Sequence, residues 1–310
     1  MTPARSQPPP LFGDLLCERV QARESQLVLG VDPDPADLWP QAAAASQSGG
    51  PSERAAAAVQ AHCEALIDAV APACVAVKLQ LACFERLGWA GVRALVRVAE
   101  WSRSAGLLVI ADGKRGDVPV TAHAYAQSLF GGLDTPWGHV GGLGVDLATV
   151  NPLLGADAVE PFVAVARRAG AGALMLVRTS NPGAADLLDL GLIDGRPLWE
   201  RLAALAHQQG LGGVGRCGLS DVGAVVGATA PEHVGRLREL MPRAVFLLPG
   251  VGAQGGRVEN LGAAFAPGPA AGLISASRSL AGAGGAGAAD PAPSARAEAE
   301  RLRAAAWSLR

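Results

Sequence analysis

The chain has 310 residues, of which 50% are hydrophobic and 17% are charged, and its formal net charge is −2. This apolar content lies well above the range of disordered chains, and the chain is long enough to bury a sizeable core. No apolar run reaches the roughly 18–20 residues that span a bilayer, which excludes a membrane-spanning helix. The near-neutral charge argues against a general nucleic-acid-binding protein, because such proteins usually carry a basic excess.

The N-terminal segment and the cysteines indicate the compartment. Residues 1–10 are polar and proline-rich and lack the apolar stretch of a secretory signal. The cysteines are odd in number and have neither C-x-x-C spacing nor the pattern of a disulfide framework, so we expect reduced thiols and a cytoplasmic location. They are Cys17, Cys63, Cys74, Cys83 and Cys217.

Eight short segments rich in β-branched residues are predicted to be strands. They are apolar almost throughout, which is typical of parallel strands buried on both faces of a sheet. The predicted strands are 27–33, 74–80, 107–113, 145–151, 172–178, 222–228, 245–250 and 272–278.

Helical patterns fill the gaps between these strands. They cover 53–70, 90–105, 117–130, 157–170, 196–209, 231–241, 256–265 and 292–308. Eight β-then-α units predict an α/β protein with a (β/α)8 TIM barrel. A doubly wound sheet is the main alternative, but no G-x-G-x-x-G follows the first strand.

We expect one barrel domain that spans residues 1–310, because no linker divides the chain. Three stretches are interpreted as loops or tails within it. Residues 42–50 and 131–144 are low-complexity or glycine-rich connections. Residues 281–293 form an Ala/Gly/Pro-rich stretch before a C-terminal helix.

The two lysines are the first indication of chemistry. Of 26 basic residues only Lys78 and Lys114 are lysines, and both fall at the ends of predicted strands. Active sites of (β/α)8 barrels lie at those ends. In extended chain Asp112 and Lys114 point to the same side, so both can face the barrel mouth. Asp117 can cap the next helix, and a plain alternative is that the three residues are only a surface pair and a cap.

A second cluster indicates a phosphate site. The glycine-rich segment Pro249 to Gly256 follows the seventh strand, and Arg278 follows the eighth. Phosphate sites of these barrels are commonly built from the same two loops. Backbone N–H groups and a guanidinium are both good donors to phosphate oxygens. The residues therefore favour a lysine-dependent reaction on a phosphorylated small molecule.

No metal site or other cofactor is expected. The five histidines have no metal-ligand spacing, and no acidic cluster beyond Asp32 and Asp34 is placed to bind a divalent cation. The histidines are His62, His123, His139, His207 and His233.

The segment Asp112 to Asp117 resembles the D-x-K-x-x-D signature of orotidine 5′-phosphate decarboxylase. Other blocks resemble this family in the same order, and two of them are most similar to its longer bacterial form. The blocks are Val77-Lys78, Asn151 to Gly155, Thr179 to Gly183, Val225 to Thr229, Pro249 to Gly256 and Ser277 to Ser279. The resemblance covers about residues 12–280.

The resemblance implies conversion of orotidine 5′-monophosphate to UMP and CO₂ without a cofactor. Lys114 would protonate C6 of the pyrimidine, and Asp112 would lie beside the substrate carboxylate. Lys78 and Asp32 would contact the ribose hydroxyls and complete an alternating array of charges.

The remaining implied contacts hold the nucleotide and join two subunits. Ser180 would hydrogen-bond the pyrimidine, while Gln254 and Arg278 would hold the phosphate. The family also implies a homodimer of barrels, in which Asp117 and Thr121 reach into the neighbouring subunit's site. Neither nucleic acid nor membrane is expected as a partner.

Three alternatives stay open on the sequence alone. A Mg²⁺-dependent decarboxylase or aldolase of sugar phosphates would share the D-x-K-x-x-D block. A Schiff-base aldolase is disfavoured, because a lysine between two carboxylates stays charged. An inactive nucleotide-binding homologue is disfavoured by the intact lysine and aspartates.

Overall fold

The computed structural model describes residues 9–44, 48–252, 254–285 and 288–309. Within these ranges the strands are β1 (Leu27–Val31), β2 (Ala76–Gln80), β3 (Leu108–Arg115), β4 (Leu133–Thr135), β5 (Gly138–Val140), β6 (Leu147–Val150), β7 (Gly172–Arg178), β8 (Val222–Val226), β9 (Phe246–Pro249) and β10 (Gly272–Ala276). All except β4 and β5 are parallel neighbours in a closed barrel of order β1-β10-β9-β8-β7-β6-β3-β2. The predicted (β/α)8 barrel and its eight strands are confirmed.

The α-helices surround this barrel. They are α1 (Phe12–Arg23), α2 (Pro40–Ala43), α3 (Pro51–Val70), α4 (Leu81–Glu85), α5 (Gly88–Ser104), α6 (Pro119–Ala126), α7 (Ala156–Arg168), α8 (Ala184–Leu188), α9 (Leu198–Gly210), α10 (Val234–Leu240), α11 (Arg278–Ala281) and α12 (Ala292–Trp307). The helix predicted to end the chain is α12.

Three predicted helices differ in form. The 117–130 helix begins only at Pro119, whose missing N–H is tolerated at the first helical position, and it ends in a π-turn over Gln127–Gly131. The 231–241 helix begins with a 3₁₀ turn, Pro231–His233. The 256–265 segment is a 3₁₀ helix, Val258–Phe265, and Gly262 within it weakens an α-helix.

The barrel interior is layered because side chains alternate along each strand. Ile110 and Leu147 pack inside the barrel, and two residues further along the same strands are Asp112 and Thr149. The residues between them, such as Ala148, pack outward against the helices. An apolar plug therefore fills the barrel, and polar side chains form the layer above it, at the C-terminal ends of the strands.

Two elements were not predicted. Helix α1 closes the bottom of the barrel, where Phe12, Leu16 and Val20 are fully buried in the interior cluster. The segment read as a long connection, 131–144, contains the antiparallel hairpin β4–β5. Parts of the other predicted tails and loops, residues 1–8, 45–47 and 286–287, lie outside the described residues.

Candidate active site

Four charged side chains converge at the mouth of the barrel. The Lys114 Nζ lies 2.7 Å from Asp112 Oδ1, and the Lys78 Nζ lies 2.8 Å from Asp112 Oδ2. Lys78 Nζ is also 3.5 Å from Asp32 Oδ1. The order Lys114–Asp112–Lys78–Asp32 alternates in sign, which is the arrangement that the family resemblance implied. We call these four residues the charge array.

The members of the charge array differ in exposure. The side chains of Asp112 and Lys78 are only 7% and 8% exposed, whereas that of Lys114 is 44% exposed. A buried ion pair holds its geometry, while an accessible ammonium at its end can meet a ligand. Lys114 is therefore the cation of the array that is open to a bound molecule.

The pKa values follow from this arrangement. Burial opposes ionisation of Asp112, but the two lysine ammonium groups outweigh it and lower the pKa of this carboxyl from 3.8 to about 2. Burial likewise opposes the charge of Lys78, yet Asp112 and Asp32 raise its pKa above the ordinary value. Asp112 and Lys78 are consequently both charged at neutral pH.

Lys114 reaches the array by an unusual backbone path. Its φ is +47°, in the left-handed region, and the pairing of β3 with β6 shifts register between Ala111 and Arg115. We expected regular alternation along an extended strand to bring Asp112 and Lys114 together, and that explanation was wrong. Their side chains do converge, but through a bulge and not through a regular strand.

Two contacts to Asp112 were not predicted. The hydroxyl of Thr149 donates to Asp112 Oδ1 at 2.9 Å, and Gln80 Nε2 donates to Oδ2 at 3.4 Å. Thr149 follows Leu147 by two residues, so strand alternation places it in the polar layer. That parity was the available signal in the sequence.

The opposite side of the mouth is built around glycine. Gly250 has φ +101°, and a Cβ there would lie 3.2 Å from Gln254 Oε1 and 3.3 Å from the Ser180 Cβ. Glycine therefore suits this backbone and lets both side chains approach. Arg278 opens α11 beside them, and its guanidinium has no side-chain hydrogen bond to any described residue.

The loop after β7, which carries Ser180, is held in place by the side chain of Arg178. Arg178 is buried and donates from Nε and Nη2 to the two carboxylate oxygens of Asp189, each at 3.0 Å. Its Nη1 donates to the carbonyl of Thr179 at 3.1 Å. This bidentate pair ties the two ends of the loop together.

One cavity of about 580 Å³ joins the two sides. Seven of the nine predicted site residues line it, which are Asp32, Lys78, Asp112, Lys114, Ser180, Gln254 and Arg278. Its size fits a nucleotide-sized ligand. The charge array and the glycine-rich loop therefore face one binding space.

Asp117 and Thr121 do not line this cavity. The prediction that Asp117 caps the next helix was wrong, because the N-cap of α6 is Val118 and no side chain caps it. Pro119 fixes the helix start, and the Asp117 carboxylate accepts instead from the N–H of Val118 at 2.7 Å. Thr121 is exposed on α6.

No group of three or more His, Cys, Asp or Glu side chains within the described ranges is arranged to hold a metal ion. None of the described helices combines the length and apolar character that crossing a bilayer requires.

The sequence is similar to proteins of one known family. The sequence matches the model of the orotidine 5′-phosphate decarboxylase / HUMPS family over residues 25–295. The orotidine 5′-phosphate decarboxylase of Rhodopirellula baltica is 43% identical over 229 residues, with 73% of each chain covered. That of Deinococcus radiodurans is 38% identical over 271 residues, 87% of this chain and 89% of the relative.

A solved structure agrees with these relatives. The structure of Leishmania donovani OMP decarboxylase superposes with a TM-score of 0.71 at 32% sequence identity, covering 96% of this chain and 98% of that one. Barrel, charge array and glycine-rich loop thus define a (β/α)8 enzyme with its site at the strand C-termini. Within that class, the chain belongs to the orotidine 5′-phosphate decarboxylase / HUMPS family.

Proposed function

We propose that this protein is a carboxy-lyase that converts orotidine 5′-monophosphate to UMP and CO₂, the last step of de novo pyrimidine nucleotide synthesis. One observation carries the proposal. The charge array opens into the same cavity as Gln254 and Arg278, so a cation can lie at a reacting base while a phosphate is held at the other end. The names of the relatives support this substrate.

In this mechanism Lys114 acts at the reacting carbon. Cleavage of the bond to the carboxyl group leaves the electron pair at C6 of the pyrimidine. The ammonium of Lys114 stabilises that charge and then transfers a proton from Nζ to C6. The exposure of Lys114 beside buried Asp112 supports this role.

Asp112 acts next to the substrate carboxylate. Its lowered pKa keeps it ionised, so it repels the carboxylate of the substrate more than the transition state, in which CO₂ is departing. It also orients Lys114 through their 2.7 Å contact. Lys78 and Asp32 contact the ribose hydroxyls, and Lys78, which is paired with Asp32, holds Asp112 from the other side.

The glycine-rich side binds the rest of the nucleotide. Ser180 hydrogen-bonds the pyrimidine, and Gln254 and Arg278 hold the phosphate. Because the phosphate is remote from the broken bond, its binding energy can order the loops over the site. The Arg278 guanidinium lines the cavity and has no side-chain hydrogen bond to a described residue, which supports this assignment.

We also propose a homodimer whose active sites are shared. Asp117 and Thr121 lie outside the cavity of their own barrel, which fits a role in the neighbouring site. Four apolar side chains on the loops after β3 and β6 and on α6 are exposed, two of them next to Asp117 and Thr121 in the sequence, which favours self-association. They are Val118, Val120, Leu153 and Leu154.

Two further features of the chain are part of this proposal. We assign the described residues to one barrel domain, to which α12 belongs because it packs against α3. All five cysteines are free, which supports a reducing compartment such as the cytoplasm.

A single assay tests the activity. The purified protein is mixed with orotidine 5′-monophosphate and excess EDTA, and ultraviolet absorbance follows the loss of the orotate chromophore. We expect full turnover with EDTA and none with Lys114→Ala. An enzyme that needs added Mg²⁺, or that converts only sugar phosphates, contradicts the proposal.

A further inference from the structure

Thr149 lies where the β3–β6 ladder is interrupted. Ala111 pairs with Ala148 and Arg115 with Val150, so the three residues 112–114 of β3 lie opposite the single residue Thr149. Regular strand pairing therefore cannot supply the hydrogen bonds of the backbone in residues 112–114. Thr149 is 1% exposed, in the polar layer above Leu147.

The hydroxyl of Thr149 uses both of its hydrogen-bonding capacities in this gap. Its Oγ1 accepts from the backbone N–H of Lys114 at 2.9 Å and donates to Asp112 Oδ1, also at 2.9 Å. One side chain thus replaces the missing ladder bond of Lys114 and fixes the carboxylate that orients the Lys114 ammonium. The accepted bond acts on Lys114, whose φ of +47° is uncommon for a side-chain-bearing residue.

We propose that Thr149 is a positioning residue for the decarboxylation, acting through Lys114 and Asp112. This inference rests on the function proposed above. The accepted bond holds the backbone of Lys114 in the left-handed conformation that points its side chain at the cavity. The donated bond fixes the Asp112 carboxylate against which Lys114 is aligned.

The donated bond has a second consequence in the reaction. Asp112 Oδ1 has two partners, Lys114 Nζ at 2.7 Å and Thr149 Oγ1. When Lys114 gives its proton to C6, it becomes neutral and its attraction for Oδ1 falls. The Thr149 hydroxyl still donates to that oxygen, so the carboxylate keeps its place until Lys114 is reprotonated.

Thr149→Val tests the inference because it replaces the hydroxyl with a methyl group of similar size. A group misplaced by about an ångström costs on the order of a hundredfold in rate, so we expect kcat to fall roughly 10- to 100-fold. The KM for orotidine 5′-monophosphate and the Kd for UMP should stay within about threefold, because neither bond touches the ligand. Thr149→Ser keeps the hydroxyl and should restore kcat to within about threefold of the parent.

Ser220→Ala is the matched control. The Ser220 hydroxyl is buried, donates to the carbonyl of Gly210 at 2.9 Å and accepts from the N–H of Val222 at 3.0 Å. Like Thr149 it makes one donated and one accepted hydrogen bond, but its donated bond goes to a backbone carbonyl, and it does not line the active-site cavity. We expect this variant to lose stability as Thr149→Val does and to keep the parental kcat.

The outcomes separate this inference from the proposed function. A parent without decarboxylase activity overturns both. An active parent with Thr149→Val within threefold in kcat, or with no rescue by Thr149→Ser, overturns the positioning role alone, as does an equal loss of kcat in Ser220→Ala. If Thr149→Val does not fold, Thr149→Ala removes the same hydroxyl without a buried methyl and is judged by the same criteria.

Discussion

The two sides of the barrel mouth are built in opposite ways. On the β1–β2–β3–β6 side the four charges of the array are already paired with one another, and Asp112 has four side-chain partners. On the β7–β9–β10 side Arg278 lacks such a partner among the described residues, and the loop around Gly250 is rich in glycine.

In the function proposed above, this difference separates the residues that act at the reacting carbon from those that bind the phosphate. A preassembled array does not have to reorganise when charge develops in the transition state, so it suits the reacting end of a substrate. The Arg278 guanidinium, which has no side-chain partner among the described residues, remains solvated until an anion arrives, so this side suits the phosphate end.

Lys114→Ala removes the ammonium group that is proposed to act at the reacting carbon. Loss of a general acid costs roughly 10²–10⁴-fold and loss of a charge-stabilising group about 10²–10³-fold, so we expect kcat to fall by at least about 10⁴-fold. The Kd for UMP, measured by calorimetry, should change only a few-fold, because the phosphate side is intact. Turnover within tenfold of the parent would remove Lys114 from the acid role.

Mixing two inactive variants tests which subunit supplies Asp117 to each active site. Lys114→Ala and Asp117→Ala homodimers should each be nearly inactive. In a heterodimer with shared sites, one site carries both lesions and the other carries neither. Co-refolding should then restore up to about half of the parental activity per heterodimer.

The readout is activity across a series of mixing ratios, with subunit exchange confirmed by mass. If exchange is complete and no ratio recovers activity, then Asp117 serves its own subunit's site. The control mixes Lys114→Ala with Asp112→Ala, two residues of the same cavity, and should show no recovery.

Arg278→Ala removes the guanidinium that is proposed to bind the phosphate. Removal of one partner of a charged hydrogen-bonded pair should lower kcat/KM for orotidine 5′-monophosphate about 100- to 1000-fold. The dephosphorylated nucleoside is the matched control, since it has no phosphate to lose, and its slow turnover should be nearly unchanged. Equal losses for the two substrates would make Arg278 a structural residue.

The pH dependence of stability sharpens the account of Asp112. Its folded pKa of about 2 lies below the ordinary 3.8, so its ionised form stabilises the fold by about 2 kcal/mol above pH 4. That contribution is lost as the pH falls from 4 towards 2. The stability difference between the parent and Asp112→Asn, from urea unfolding, should be constant over pH 5–8 and shrink below pH 4. A difference that already shrinks near pH 6 would contradict the lowered pKa.

Much of the fold could be predicted because strand burial is visible in the sequence. Runs such as 172–177 are apolar on both faces, and the lysines at strand ends indicated the mouth of the barrel. Helix α1 was missed although Phe12, Leu16 and Val20 have helical spacing, since no strand precedes it in the repeating pattern. The hairpin β4–β5 was missed because its short strands are mostly exposed and lack an apolar run.

The sequence pointed to seven residues that line the cavity, but it did not predict their geometry. The D-x-K-x-x-D spacing indicated Asp112 and Lys114, yet the left-handed backbone of Lys114 depends on a register shift against β6. Such a shift is a property of two paired strands and not of either sequence. Thr149 contacts the array across that shift, which explains why its hydroxyl was overlooked.

The division between a preassembled and a ligand-completed side is tested most directly by crystal structures of the protein alone and with UMP. We expect the phosphate within about 2.7–3.2 Å of the Arg278 guanidinium and the Gln254 amide, and C6 of the base facing Lys114 Nζ. The distances from Asp112 to Lys78 and Lys114 should agree between the two structures within about 0.5 Å. A charge array that forms only with the nucleotide, or a phosphate bound away from Arg278, would contradict the account.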